Sequence, residues 1–122
     1  MKEENVVLEK SFAFASRIVK LYKFLCAEQK EWVLSQQLLR SGTSIGANVR
    51  EAQRAQSRKD FVAKLNIALK ESYESEYWLE LLKVGEYITL KQFESLFSDC
   101  RELTNILSQI VITSKSKDNF EF

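Results

Sequence analysis

The chain has 122 residues, 45% of them hydrophobic and 29% charged, with a net charge of +1. That is one ordinary globular domain with enough chain to bury a core, and it gives no global electrostatic case for nucleic acid or an anionic membrane. Histidine is absent, which removes the usual zinc sites, His-based triads and imidazole acid–base chemistry.

Proline is also absent and there are only three glycines, a composition that favours an all-helical chain. The first predicted helix runs from about Glu4 to Ala27. Leu8, Phe12, Ala15, Val19, Tyr22 and Cys26 form its main apolar line, with Val7, Phe14, Ile18, Leu21 and Leu25 beside it. The combined stripe is wider than a surface helix needs. Glu28-Gln29-Lys30 is a short polar break, so the second helix should return antiparallel over about Glu31 to Ala55.

Ser57 is a candidate N-cap for the third helix, with Asp60 three residues on. That helix should end near Val84, where Gly85 can take the left-handed conformation cheaply. Thr89 and Gln92 read as a capping box opening the fourth helix. Short loops and similar helix lengths predict an all-α, antiparallel up-down-up-down four-helix bundle over residues 1–114. Residues 115–122 are expected to be a flexible C-terminal tail. Cys26 and Cys100 fall on apolar faces and read as small buried hydrophobes. No signal-peptide pattern or long apolar run is visible, so a cytoplasmic location is expected.

The second half of helix two, Arg40 to Ala52, is rich in helix-weakening residues. Gly42 and Gly46 each cost about 1 kcal/mol relative to Ala. Four residues apart, they form a shallow groove where another backbone can approach. Placing the turn near Ser57 puts Arg40 level with Glu74, Ser44 with Lys70, Asn48 with Asn66, and Glu51 with Lys64 or Ala63. Arg40, Ser44, Asn48 and Glu51 share one helix face. With Lys64, Glu71 and Glu74 they form a polar signature, read either as a register lock or as a partner site. Under the first reading, Arg40→Ala loosens the bundle before it abolishes any binding.

Arg50, Arg54, Arg58 and Lys59 cluster near the tip of the same hairpin. They read as a solvated helix end or as a phosphate-contacting patch for RNA or DNA. Tyr73, Tyr77 and Trp78 lie off the main core line and read as a subunit contact or as core packing. Glu71 and Glu74 are the kind of carboxylate pair that acid–base work uses. A di-iron bundle would need Glu-x-x-His motifs, which are lacking. No catalytic residue, cofactor or metal site is expected, and the chain is read as a non-enzyme.

The segment Arg40 to Ala52 resembles the signature R-x-x-x-S-I-x-x-N-x-x-E of small bacterial proteins encoded in intervening sequences of large-subunit ribosomal RNA genes, often labelled, misleadingly, as a ribosomal protein. Lys59-Asp60-Phe61, Ala68-Leu69-Lys70-Glu71 and Glu74-Ser75-Glu76-Tyr77-Trp78-Leu79 continue the match, which covers nearly the whole chain. The resemblance implies a homopentameric, barrel-like ring of four-helix bundles. It also implies kinship with accessory proteins of diversity-generating retroelements, whose basic ring binds nucleic acid and a reverse transcriptase. Two departures stand out. Many relatives have Gly where this chain has Ala52, and the retroelement relatives are strongly basic where this chain is nearly neutral. The expectation is therefore a homo-oligomeric scaffold or adaptor whose partner is itself, with RNA, DNA or a nucleic-acid enzyme as a further partner. An RNA- or DNA-binding module using the basic tip is the alternative.

Overall fold

The computed structural model describes the backbone of residues 2–120 and the side chains of residues 5–115. Four helices follow one another: α1 (Lys2–Ala27), α2 (Val33–Ala52), α3 (Arg58–Val84) and α4 (Leu90–Phe120). Each packs on its sequence neighbour and α1 also meets α4, while among the described residues the diagonal pairs stay apart at the backbone level. This is the expected up-down-up-down bundle. Among the described residues the α2–α3 hairpin is the most tightly joined pair and the α1–α4 seam the least. No helix among the described residues is long and apolar enough to cross a membrane.

The core is mainly aliphatic. Phe14, Ile18 and Leu25 of α1 meet Leu38, Ile45 and Val49 of α2, Leu65, Leu79 and Leu82 of α3, and Leu103 and Leu107 of α4. The two apolar lines of α1 exchange the roles expected of them. Val7, Phe14, Ile18, Leu21 and Leu25 face the core, whereas Phe12 and Val19, on the line expected to dominate, are exposed. Periodicity locates a stripe but cannot say which of two adjacent apolar lines turns inward. The partner decides it. A Cβ on Gly42 would sit 3.0 Å from Ile18 Cγ1, and one on Gly46 would sit 3.4 Å from the Ser11 carbonyl oxygen. The two glycines thus admit the Ser11–Ile18 side of α1.

Helix ends follow local chemistry. Ser57 caps α3 by accepting from the Asp60 N–H at 3.0 Å. Thr89 and Gln92 form the capping box, each side chain accepting from the other's backbone N–H at 3.0 and 2.8 Å. The start of α2 uses a device the sequence reading missed. The Glu31 carboxylate accepts from the N–H groups of Val33, Leu34 and Ser35 at 2.7–2.9 Å. Burial pushes this carboxyl up, but those three backbone donors outweigh it and hold it below its ordinary range.

The end of α3 differs from expectation. Gly85 has φ −77°, and Glu86 takes the left-handed conformation at φ 61°. The Tyr87 N–H returns to the Leu82 carbonyl and the Glu86 N–H to that of Lys83, a Schellman motif with Glu86 at its left-handed position. Gly85 is small for another reason. A Cβ there would lie 2.8 Å from the Tyr87 ring. At the other terminus of the bundle sequence, α4 stays helical through Phe120, beyond the boundary at 114 where a tail was expected to begin. Residues 121–122 lie outside the described residues.

These ends carry separable free energies. Glu31→Ala should lower stability by about 1–2 kcal/mol through loss of the cap. Glu86→Gly should raise it by roughly 1 kcal/mol, because a side chain leaves a left-handed backbone. Urea unfolding of the two variants against the parent checks both signs.

Candidate functional site

The signature residues of α2 meet α3 as a partial zipper. Arg40 donates to both Glu71, at 3.1 Å, and Glu74. Trp78 adds its indole N–H to Glu74 Oε2 at 2.9 Å. The Trp78 hydrogen bond, with Arg40 beside it, holds the Glu74 carboxyl below its ordinary range against the opposing effect of burial. Lys64 reaches Glu51 at 3.4 Å. The outer rungs therefore form as expected, and Arg40 bridges the carboxylate pair considered for acid–base work.

The inner rungs do not form. Ser44 donates to its own helix at the Arg40 carbonyl, 2.7 Å away, and Asn48 donates to the Ser44 carbonyl at 2.8 Å. Neither reaches across to Lys70 or Asn66. Short polar side chains on a helix satisfy themselves one turn back more cheaply than by spanning to a neighbour. Their place is taken by a buried pair, Ser41 and Ser75, whose hydroxyl oxygens lie 2.9 Å apart.

A second polar lock ties α3 to α4 and was not foreseen. Glu76 is only 8% exposed. Thr104 donates to its Oε2 at 2.7 Å, and Arg101 donates to its Oε1 at 3.2 Å. Ser72 Oγ lies 2.9 Å from Thr104 Oγ1, and Cys100 Sγ lies 3.3 Å from the Ser72 carbonyl. Burial, with Glu76 nearby, pushes the Cys100 thiol up to about 12, so it behaves as an apolar filler. The signal was present in the spacing. Ser72 and Glu76 are one turn apart on α3, as are Cys100 and Thr104 on α4. Cys26 is only half-buried, so its assignment as a buried hydrophobe does not hold fully.

The basic residues converge at one end. Arg50 closes α2, Arg54 lies in the connection, and Arg58 and Lys59 open α3, all four exposed. The Arg50 guanidinium sits 5.6 Å from the centre of the Phe12 ring. Beside them α1 and α2 bound an open groove of about 480 Å³. Leu8, Phe12 and Ala15 line one wall, Gly46 and Ala47 the other, and Arg50 and Arg54 the rim. Of the aromatic set, Tyr73 and Tyr77 are exposed. Trp78 is half-buried, packs against the core and meets the Tyr77 ring edge-on with centres 5.0 Å apart.

The two locks should differ in weight. Arg40 is about half exposed, so Arg40→Ala should cost only about 1 kcal/mol, loosening the hairpin without unfolding it. Thr104→Val should cost more, roughly 2 kcal/mol, because it leaves Oε2 of the buried Glu76 carboxylate without its donor while Arg101 still holds Oε1. Glu31 and Glu74 have folded pKa values below the ordinary 4.5. Their contribution is complete above that value and is lost as pH falls through the lower folded values. Chemical denaturation from pH 7 to pH 3 should show a decline beginning near 4.5, less steep in Glu31→Ala.

Comparison with known proteins places this geometry. A search of curated proteins finds no match. A crystal structure of a protein of unknown function from the S23 ribosomal protein family of Bacteroides thetaiotaomicron VPI-5482 superposes with a TM-score of 0.88. It is 62% identical in sequence, over 89% of this chain and 97% of that one. The sequence model of the 23S rRNA-intervening sequence proteins matches residues 3–109, which include both halves of the polar zipper. With the expected bundle, the Arg40–Glu74 rung and a match over nearly its full length, the chain belongs to the 23S rRNA-intervening sequence protein family.

Proposed function

We propose that the chain is a non-enzymatic scaffold or adaptor that assembles with copies of itself, working in a nucleic-acid-associated complex. The pentameric ring is the form that the family resemblance implies. The observation that carries the reading is the outer line of α1. Leu8, Phe12, Ala15, Val19, Tyr22 and Cys26 run roughly 27 Å along the helix, apolar throughout and at least partly exposed, with Phe12 at 60%. Tyr73 and Tyr77 add a second exposed aromatic pair on α3. Contiguous apolar surface of this kind favours burial against another protein surface. The polar network around Glu76 and the zipper at Arg40 serve the fold in this reading and hold those faces rigid.

Light scattering at micromolar concentration tests it. The parent should be a stable oligomer, and Phe12→Glu with Val19→Glu should shift it toward monomer, with Tyr77→Glu as a separate probe of the α3 face. A parent that is monomeric at every concentration sinks the proposal.

The cations at the α2–α3 tip favour a second reading, an RNA- or DNA-binding module. Arg50, Arg54, Arg58 and Lys59 share one exposed end of the bundle. One patch of this size binds weakly, and a ring of copies would multiply it. A labelled RNA should shift in a salt-dependent way, and Arg54→Glu with Lys59→Glu should weaken it. Absence of binding at low salt, where phosphate contacts are strongest, removes this reading.

A further inference from the structure

The α1–α2 groove and the far end of α4 are chemically complementary. The groove has an apolar floor of Leu8, Phe12, Gly46 and Ala47 and a cationic rim of Arg50 and Arg54. Glu51 at the same edge is engaged by Lys64. At about 480 Å³ the groove exceeds the roughly 150 Å³ of a cavity that holds benzene. The apolar floor and cationic rim favour an occupant that is apolar and negatively charged, and the volume has room for an aromatic ring.

The chain itself carries such a segment. Asp118-Asn119-Phe120-Glu121-Phe122 has two carboxylates, two aromatic rings and no cation. It lies past residue 109, where the family match ends. Its position follows from the α1–α4 register. Arg17 pairs with Asp99 and Lys10 with Glu102, so continuing the antiparallel register brings α4 level with Lys2 near Ile112. The helix nevertheless runs on to Phe120, roughly 12 Å past the end of its own bundle. A helix pointing away cannot fold back over its own α1.

We infer that residues 118–122 of one copy dock in the α1–α2 groove of a neighbouring copy, the phenylalanines on the apolar floor and the carboxylates toward Arg50 and Arg54. The inference rests on the self-assembly reading above and specifies one of its contacts. The contact is head-to-tail, the class that builds rings when the rotation closes. It also gives the arginine pair an occupant other than nucleic acid, drawn from the chain's own sequence.

Disulfide trapping in the full chain tests it. One isotopically labelled pool carries Asn119→Cys, which keeps both phenylalanines. An unlabelled pool carries Ala47→Cys in the groove or, as control, Gln36→Cys at an exposed site elsewhere on α2. After mixing and mild oxidation, peptide mass spectrometry should find a 119–47 link joining labelled to unlabelled chains, at about tenfold the control yield. Arg50→Glu with Arg54→Glu should cut that yield about tenfold, and Asp118→Arg with Glu121→Arg in the other pool should restore it. Equal yields at 47 and 36, or no loss on charge reversal, overturn the docking. Light scattering in parallel separates the two failures. An oligomer without the preferred link keeps self-assembly and refutes the tail contact, whereas a monomer refutes self-assembly itself.

Discussion

The close approach of α1 to α2 at Gly42 and Gly46 is the constraint on which the rest depends. Ile18 lies against one glycine and the Ser11 backbone against the other. This fixes the rotation of α1 about its axis. Once Ile18 and Ser11 face inward, Phe12 and Val19 must face outward, because they are on the adjoining line. The exposed apolar stripe is thus a by-product of where the glycines sit. The same approach leaves a shallow trough beside Gly46, which becomes the groove. The helix-weakening residues of α2 cost local propensity and return it as tight packing.

Two polar devices then divide the labour of holding the helices in register. The Arg40 cluster joins α2 to α3 at a half-exposed surface and links to Trp78 through Glu74. The Glu76 cluster joins α3 to α4 in the interior. Solvent screens the ion pairs of the first and limits their weight, while in the second each group depends on the others to offset burial. An apolar core of Leu and Ile tolerates sliding by one turn, since the next turn presents similar shapes. A buried carboxylate with its own threonine does not.

Much of the architecture was legible in the sequence, for identifiable reasons. The caps at Ser57 and Thr89 depend on residues three apart, so they can be read locally. The Arg40–Glu74 and Glu51–Lys64 rungs followed from hairpin geometry and opposite charge. The inner rungs failed because Ser44 and Asn48 have a closer acceptor on their own helix. The facing of α1 was not legible, since two apolar lines lie side by side and only α2 breaks the tie. The left-handed residue at the end of α3 was misplaced by one because the glycine there accommodates the Tyr87 ring rather than the backbone angle. Glu76 was overlooked because a glutamate beside tyrosines looks like surface until the opposing threonine is placed.

The loose α1–α4 seam has a kinetic meaning. The ion pairs that cross it, Lys10–Glu102 and Arg17–Asp99, join residues 92 and 82 positions apart, whereas the Arg40–Glu71 pair spans 31. Closing long loops costs more chain entropy than closing short ones, so contacts of low sequence separation form first. The hairpins of sequence neighbours, α2–α3 and α3–α4 with their capped turns, therefore form first, and zipping the first helix to the last completes the bundle. Opening should run in reverse, with the seam parting at a free energy below that of global unfolding, an order that native-state amide exchange reads directly.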